Sequence, residues 1–513
     1  MSAEGAKFYF MSKKMVASLI ACCLIIGTAD SQSLNQRQFL SYLDSITNKL
    51  LERIPVIPAI SITIVNENGP VHVKAYGLAN KSAGIKADVN TEFYIASTTK
   101  SFMGLAAAML DYEKKILLDN SVKSYLRNVP FKTDIGDEVT IKNLLAHTSG
   151  LENSPLTFRM AYSGTSENKE MMNVLASATT VKTKPGKFAY DNLGYNIYGL
   201  IVEDNLHKRW QDLLQEKIFG PLGMKHTTAY ISTANKNKWT IANPYYAFGA
   251  NGPEEVYLKK EDNTMQSAGG LITTPSDIAL WLQAQINDGK LNNKQIFPAE
   301  VMKTSRTGVA DFEKGQGIFS APGKYALGWM VSKYREQPVI YHFGGYPGYG
   351  ALISFMPEKK MGLAIFVNEG TIGNSAASLI SGIVYDWIAG QDVVTLYKGK
   401  IEEMEENYKK AADGSQRSFA DRAKRTSQLG LPLSSYVGKY QHPYYGDINI
   451  GIENNALSVK MGNLHCISTP FTEKETIRVE LIPGSGRVVY FKVDDGGKVN
   501  RLTFEGDEYK RVN

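Results

Sequence analysis

The chain has 513 residues, of which 43% are hydrophobic and 21% charged, with a formal net charge of +6. That length exceeds one ordinary hydrophobic core, so two or more domains are expected. Lys and Arg are interleaved with Asp and Glu, which leaves no basic stripe of the kind nucleic acid requires, and nucleic acid is excluded as a partner.

Residues 1–31 stand apart. Lys13 and Lys14 precede an apolar run from Met15 to Gly27, and the small residues Thr28, Ala29 and Ser31 follow. This is the layout of a secretory signal peptide, for which Met11 could serve as the start because residues 1–10 add nothing a signal needs, and it places the mature protein in the periplasm or outside the cell. The apolar run is shorter than the ~20 residues of a spanning helix, so no stable transmembrane span is expected after cleavage. An uncleaved N-terminal anchor is the alternative. Leu19-Ile20-Ala21-Cys22 also loosely fits a lipoprotein signal, although the chain would then begin with the apolar Cys23-Leu24-Ile25-Ile26. Cys466 is the one cysteine beyond this segment. No internal disulfide is therefore available to the mature chain, and Cys466 reads as a small core residue rather than a nucleophile.

Residues 36–53 carry apolar side chains on one helical face, from Phe39 to Leu51. A hairpin follows: Ile60, Ile62 and Ile64 alternate, Asn66-Glu67-Asn68-Gly69 turns, and Val71, Val73 and Ala75 alternate back. Helices are expected over 101–114, where Gly104, Ala106, Ala107 and Ala108 allow close packing, and over 141–146, 193–206 and 275–287. Strands return at 328–332, 339–343, 351–356 and 362–368, and an apolar helix spans 373–388. A sheet built from both ends of a domain, with a helical insertion between, accounts for this order. Residues 396–432 are charged and read as a helical linker, or equally as a surface helix of the main domain. From 433 onward short strands dominate, with a hairpin signal at Asp494-Asp495-Gly496-Gly497, so 433–513 reads as a small β-barrel or sandwich.

The chemistry centres on Ser97-Thr98-Thr99-Lys100, between a strand-like segment and the strongest helix. Residues three apart on a helix share a face, so the hydroxyl and the amine can meet. A serine hydroxyl needs a base, and lysine is one only when burial or nearby positive charge lowers its pKa from ~10.4. The spacing alone is weak, since Ser166-Glu167-Asn168-Lys169 repeats it in a polar stretch and an N-cap role would suit Ser97. Two later segments add weight: Tyr190-Asp191-Asn192 at a helix start, and His342-Phe343-Gly344-Gly345 at a strand end.

With these three motifs in this order, the chain resembles the class C β-lactamase and penicillin-binding-protein family of serine hydrolases over residues 35–390. Leu144–Leu151, Pro221–Met224 and Ser267–Leu271 match as well. The resemblance implies that Ser97 attacks a carbonyl and is acylated, and that Lys100 takes or shuttles its proton. It further implies that Tyr190 shares that proton and protonates the leaving group, and that Asn192 holds the substrate carbonyl. The amides of Ser97 and Gly345 would form the oxyanion hole, with Gly344 allowing close approach and His342 beside the substrate. Alternatively, Tyr190 is a core tyrosine and His342 a structural strand-end residue. His147 reads as a turn stabiliser, and Tyr245, Tyr246 and Tyr257 as packing residues or cleft lining. No metal-ligand spacing is present, and no cofactor or metal is expected.

The third motif is His-Phe-Gly rather than Lys-Thr-Gly, so a fixed cation for a substrate carboxylate is missing and efficient β-lactam hydrolysis is in doubt. Relatives with His-x-Gly look more like D-stereospecific peptidases, DD-carboxypeptidases and esterases, and the tail resembles the lipocalin-like domains fused to several of them. The expected fold class is α/β of the α+β type. It comprises an antiparallel β-lactamase/transpeptidase-like sheet flanked by helices (35–395), the linker (396–432) and the β domain (433–513). The expected function is an exported serine hydrolase acting on a small peptide, amide or ester, cell-wall fragments included. A β-lactamase or penicillin-binding protein, and a non-catalytic binding protein on the same fold, are the alternatives.

Overall fold

The computed structural model describes residues 34–164 and 167–512. The expected signal segment and Ser166 lie outside the described residues.

Helix α1 (Gln36–Arg53) opens the fold behind a capping box in which the Asn35 side chain accepts from Gln38 N and the Gln38 side chain from Asn35 N. Strands β1 (Ala59–Asn66) and β2 (Gly69–Asn80) form the expected hairpin, and β3 (Ile85–Lys86) pairs with β2. Strand β4 (Phe93–Tyr94) leads through a 3₁₀ turn, Ala96–Thr98, into α2 (Thr99–Tyr112). The helical insertion includes α3 (Ile141–Leu145), α4 (Leu193–Leu206) and α5 (Gln266–Gly269). It closes with β5 (Ile272–Thr273), which pairs with β4, and α6 (Pro275–Ile286).

The chain then returns to the sheet through β6 (Ala310–Phe312), β7 (Gly323–Tyr325), β8 (Met330–Tyr334), β9 (Gln337–Tyr346), β10 (Tyr349–Met356) and β11 (Met361–Val367). The result is one nine-stranded antiparallel sheet in the order β6-β7-β8-β9-β10-β11-β1-β2-β3. The first hairpin thus pairs with the last strand of the domain, Ile62 opposite Ile365.

Strand β1 lies inside the sheet and is buried on both faces. Ile60, Ile62 and Ile64 pack with Phe39 and Leu43 of α1 and with Ile380 and Ile383 of α7 (Ile372–Ile388), which forms the outer layer with α1. The opposite face supports α2 and α6. Gly104 in α2 lies where any Cβ would overlap the Leu327 carbonyl, so that helix seats directly on backbone.

The charged segment holds α8 (Lys400–Ala423), which is docked rather than free. Ile401 is buried, Lys49 and Arg53 of α1 pair with Glu402 and Glu405, and Gln416 Nε2 donates to the Gly249 carbonyl.

A second nine-stranded sheet follows, built from β12 (Gly438–His442), β13 (Gly446–Glu453), β14 (Ala456–Met461), β15 (Leu464–Ile467), β16 (Thr469–Pro470), β17 (Thr476–Val479), β18 (Arg487–Val493), β19 (Val499–Phe504) and β20 (Asp507–Val512). Its order is β15-β14-β13-β12-β20-β19-β18-β17-β16. The two edge strands are consecutive in the chain, joined through Ser468 alone, so the sheet rolls into a nearly closed barrel. Its β14–β15 turn presses on the hydrolase-like half: Asn463 N donates to the Ser163 carbonyl at 3.1 Å and Asn463 Nδ2 to Glu261 Oε2 at 2.6 Å. Among the described residues no helix is long and apolar enough to cross a membrane.

Candidate active site

Ser97 sits in the 3₁₀ turn between β4 and α2. The backbone is forced sharply there, with Ala96 at φ +44°, a left-handed conformation that an alanine adopts only where its surroundings impose it. Ile95 N donates to the Leu271 carbonyl on one side. On the other, Gly344 of β9 approaches so closely that a Cβ would overlap the Ile95 carbonyl. The N-cap of α2 is Thr98, not Ser97, and the Ser97 hydroxyl accepts from Lys100 Nζ at 3.1 Å instead.

Lys100 is fully buried. Its amine also donates to Asn192 Oδ1 and to the Ala268 carbonyl, each at 2.8 Å, so three oxygens fix its position. Desolvation lowers its pKa to about 7, against the opposing pull of Asp191. A neutral amine is therefore available near physiological pH, within reach of the hydroxyl proton.

Tyr190 brings its hydroxyl to Ser97, while 44% of the residue remains exposed at the mouth of the cleft. Desolvation, partly offset by the Ser97 hydrogen bond, raises its pKa, so it stands as a protonated phenol. The neighbouring Asp191 caps the start of α4 by accepting from Gly194 N at 3.1 Å. Asn192 has its oxygen committed to Lys100, which leaves its amide NH₂ as the end able to donate.

His342 lines the same cleft but is buried and held at both nitrogens. Nδ1 lies 2.6 Å from the Phe343 carbonyl and must donate to it, and Nε2 faces the Tyr325 hydroxyl at 3.0 Å. Burial, with Lys100 nearby, lowers its pKa to about 3. His147 is buried in a left-handed turn at φ +58°. It accepts from Asp191 N through Nδ1, and its ring lies 4.4 Å from that of Tyr190. Gly345 faces open space, with nothing within 4 Å of where a Cβ would stand. The cleft of about 450 Å³ thus brings together Ser97, Tyr190, His342, Gly344 and Gly345, with Lys100 and Asn192 behind Ser97.

Sequence reasoning missed four contributors. The Ala268 carbonyl acts through backbone, and only the flagged segment Ser267–Leu271 hinted at it. Tyr325, which locks His342, comes from a short strand without periodic signal. Gln316 and Asn374 line the far wall from a loop and from the start of α7. Tyr245, Tyr246 and Tyr257 pack elsewhere. The Tyr245 hydroxyl accepts from Lys81 N, Tyr246 abuts Gly484, and Tyr257 reaches the barrel at Leu481 and His465.

Residues 47–380 match the beta-lactamase family, about two thirds of the chain. The chain belongs to that family. A domain of unknown function (DUF3471) matches residues 422–511, which covers the barrel. Among relatives, the beta-lactamase-family chain is 24% identical over 444 residues to the unguisins hydrolase ungD of Aspergillus violaceofuscus, covering 80% of this chain and 76% of that one. It is 27% identical over 318 residues to protein flp of Staphylococcus aureus, covering 61% and 60% respectively. Among solved structures, a penicillin-binding protein homologue from Pyrococcus abyssi superposes with a TM-score of 0.59 at 22% identity, over 92% of this chain and 99% of that one. The D-amino acid amidase of Ochrobactrum anthropi SV3 does so at 0.56 and 19% identity, over 68% and 99%. At these identities the structural likeness is one of fold.

Proposed function

We propose that the protein is an exported serine hydrolase that cleaves amide or ester bonds through an acyl-Ser97 intermediate. The observation that carries this reading is the buried Lys100 amine, held by three oxygens with the Ser97 hydroxyl among them. Its lowered pKa makes it a base at neutral pH. The neutral amine takes the Ser97 proton as Oγ attacks the carbonyl. Tyr190, protonated and in contact with Ser97, passes a proton to the leaving group. The amides of Ser97 and Gly345 stabilise the oxyanion, each donor worth about 3 kcal/mol. Water then releases the acyl group by the reverse relay. The substrate class comprises D-stereospecific peptide, carboxypeptidase-type and ester substrates. The pattern from Lys13 to Ser31 supports export to the periplasm or medium.

A fluorophosphonate probe tests the reading. Wild-type protein is expected to label at Ser97 and to turn over p-nitrophenyl esters, and Ser97→Ala to do neither. Equal labelling of both proteins would remove Ser97 from the role. Export is checked by sequencing the mature N-terminus, expected near residue 31.

A further inference from the structure

Three places in this cleft could fix a substrate carboxylate, and each is already committed. The first is the third-motif side chain. His342 donates from Nδ1 to the Phe343 carbonyl, takes the Tyr325 hydroxyl at Nε2, and is held neutral by burial next to Lys100. The second is Lys100 itself, fully buried behind Ser97 with its amine already held among Ser97, Asn192 and Ala268. The third is the N-terminus of α7, a helix of 17 residues whose first amides would attract an anion. The chain's own Glu369 occupies it, accepting from Gly373 N at 2.8 Å and from Thr371 N at 3.1 Å.

The wall between these points is polar yet uncharged. Gln316, Asn374, Ser375 and Ser378 supply amides and hydroxyls, with Phe343 and Met330 between them. Among the described residues that line the cleft there is no Lys, Arg, Asp or Glu. Glu313 and Lys314, on the same loop as Gln316, are exposed, of opposite sign, and outside the lining.

We infer that the Ser97 cleft selects acyl substrates whose group next to the scissile bond is neutral (a carboxamide, an ester or an internal amide) over substrates that end there in a free carboxylate. The inference rests on the acyl-Ser97 reading and narrows it, setting free-acid carboxypeptidase substrates and carboxylate-bearing β-lactams aside. A carboxylate entering this cleft sheds water and meets only neutral groups, whereas a carboxamide or ester has no charge to compensate.

The test is a matched pair, N-acyl-D-alanyl-D-alaninamide against the same peptide with a free C-terminal acid. Both are assayed at pH 8 on the full-length mature protein, alongside fluorophosphonate labelling. We expect kcat/KM for the amide to exceed that for the acid by at least tenfold. In Gln316→Lys, an exposed substitution that brings a cation to the wall, the ratio should shift towards the acid by at least tenfold, with an unchanged circular dichroism spectrum showing that the fold is kept. Parity or acid preference in the wild type overturns the inference while leaving the hydrolase standing. Undiminished amide preference in Gln316→Lys overturns the missing charge as its cause. Absence of turnover on both peptides together with absence of Ser97 labelling overturns the hydrolase reading, and the inference with it.

Discussion

The two halves of the molecule treat charge in opposite ways. Every lysine, arginine, histidine, aspartate and glutamate that is buried among the described residues lies at or before Asp386. The barrel interior, from Tyr436 to Tyr509, buries apolar side chains, tyrosines and a few hydroxyls. Burying an ionisable group costs stability unless it is paired or neutralised, and three of these, Lys100, His147 and His342, gather close to the Ser97 hydroxyl. The barrel, by contrast, is built as a stable body with a seam. The sharpest way to break this comparison is to remove the amine at its centre. Lys100→Ala is expected to lower kcat/KM for a p-nitrophenyl ester by about a thousandfold, within the range for loss of a positioned base, with an unchanged circular dichroism spectrum. Near-normal turnover would assign the base elsewhere. Lys100→Met should be equally inactive yet melt about 2–5 °C higher at pH 7, because a desolvated amine is exchanged for an apolar side chain of similar length.

Tyr190→Phe comes next, with an expected loss of about a hundredfold from removal of the proton relay, while the ring keeps its packing on His147. The pH profile separates the two groups. Because Lys100 is pushed down to about 7 and Tyr190 is pushed up, activity should rise as pH passes about 7 and then level off, following the amine alone. The lysine also sets the sign of the stability change. The unfolded chain holds that proton up to its ordinary value of 10.5, whereas the folded chain releases it near 7. Stability therefore gains with rising pH between those two values, and Lys100→Met should flatten that part of the curve. A profile flat from pH 5 to 9 would sink the assignment.

How much of this was legible before the fold was known depends on where each signal resides. Ser97, Lys100, Tyr190, Asn192 and Gly344 carry their signal in side-chain identity or in its absence, and the motifs could be read off the chain. Most long elements were legible too, since α1, the first hairpin, α4 and α6 have clear periodicity or turn residues. The Ala268 carbonyl was not, because every residue has a carbonyl and only the fold aims this one at an amine. Neither was the neutrality of His342, which depends on Tyr325 arriving from a three-residue strand. The short strands β6, β7 and β16 lack the run of alternating residues that makes a strand visible. Tyr190 was expected to share protons as phenol or phenolate, and desolvation of its hydroxyl beside Ser97, which raises its pKa, favours the phenol.

Gly344→Ala sharpens the comparison on the backbone side. Its Cβ would overlap the Ile95 carbonyl, and the only relief is to move β9 away from the turn that carries Ser97. Overpacking of this kind costs about 1–3 kcal/mol, and a shift at the reacting serine is expected to lower activity about tenfold or more. Thermal melting and ester kinetics read both effects.

The smallest effect belongs to the seam. The Tyr257 hydroxyl donates to the Leu481 carbonyl and accepts from His465 N at 3.2 Å, and its ring lies 4.3 Å from that of His465. Tyr257→Phe keeps the ring contact and removes both hydrogen bonds. His465 is exposed, so water can take over at least part of what is lost, and the net cost is about 0.5–1.5 kcal/mol. If the barrel is a docked body and not part of the reaction centre, kcat and KM should stay within twofold while barrel docking loosens, read as faster amide exchange in residues 464–482. A tenfold loss of activity instead would mean that the seam transmits to Ser97. The route would then run from the Asn463 contact with Ser163 to Ala161, and from its carbonyl through Met265 N to the segment that presents Ala268 to Lys100. That outcome would erase the contrast between a half that holds charge and a half that only packs.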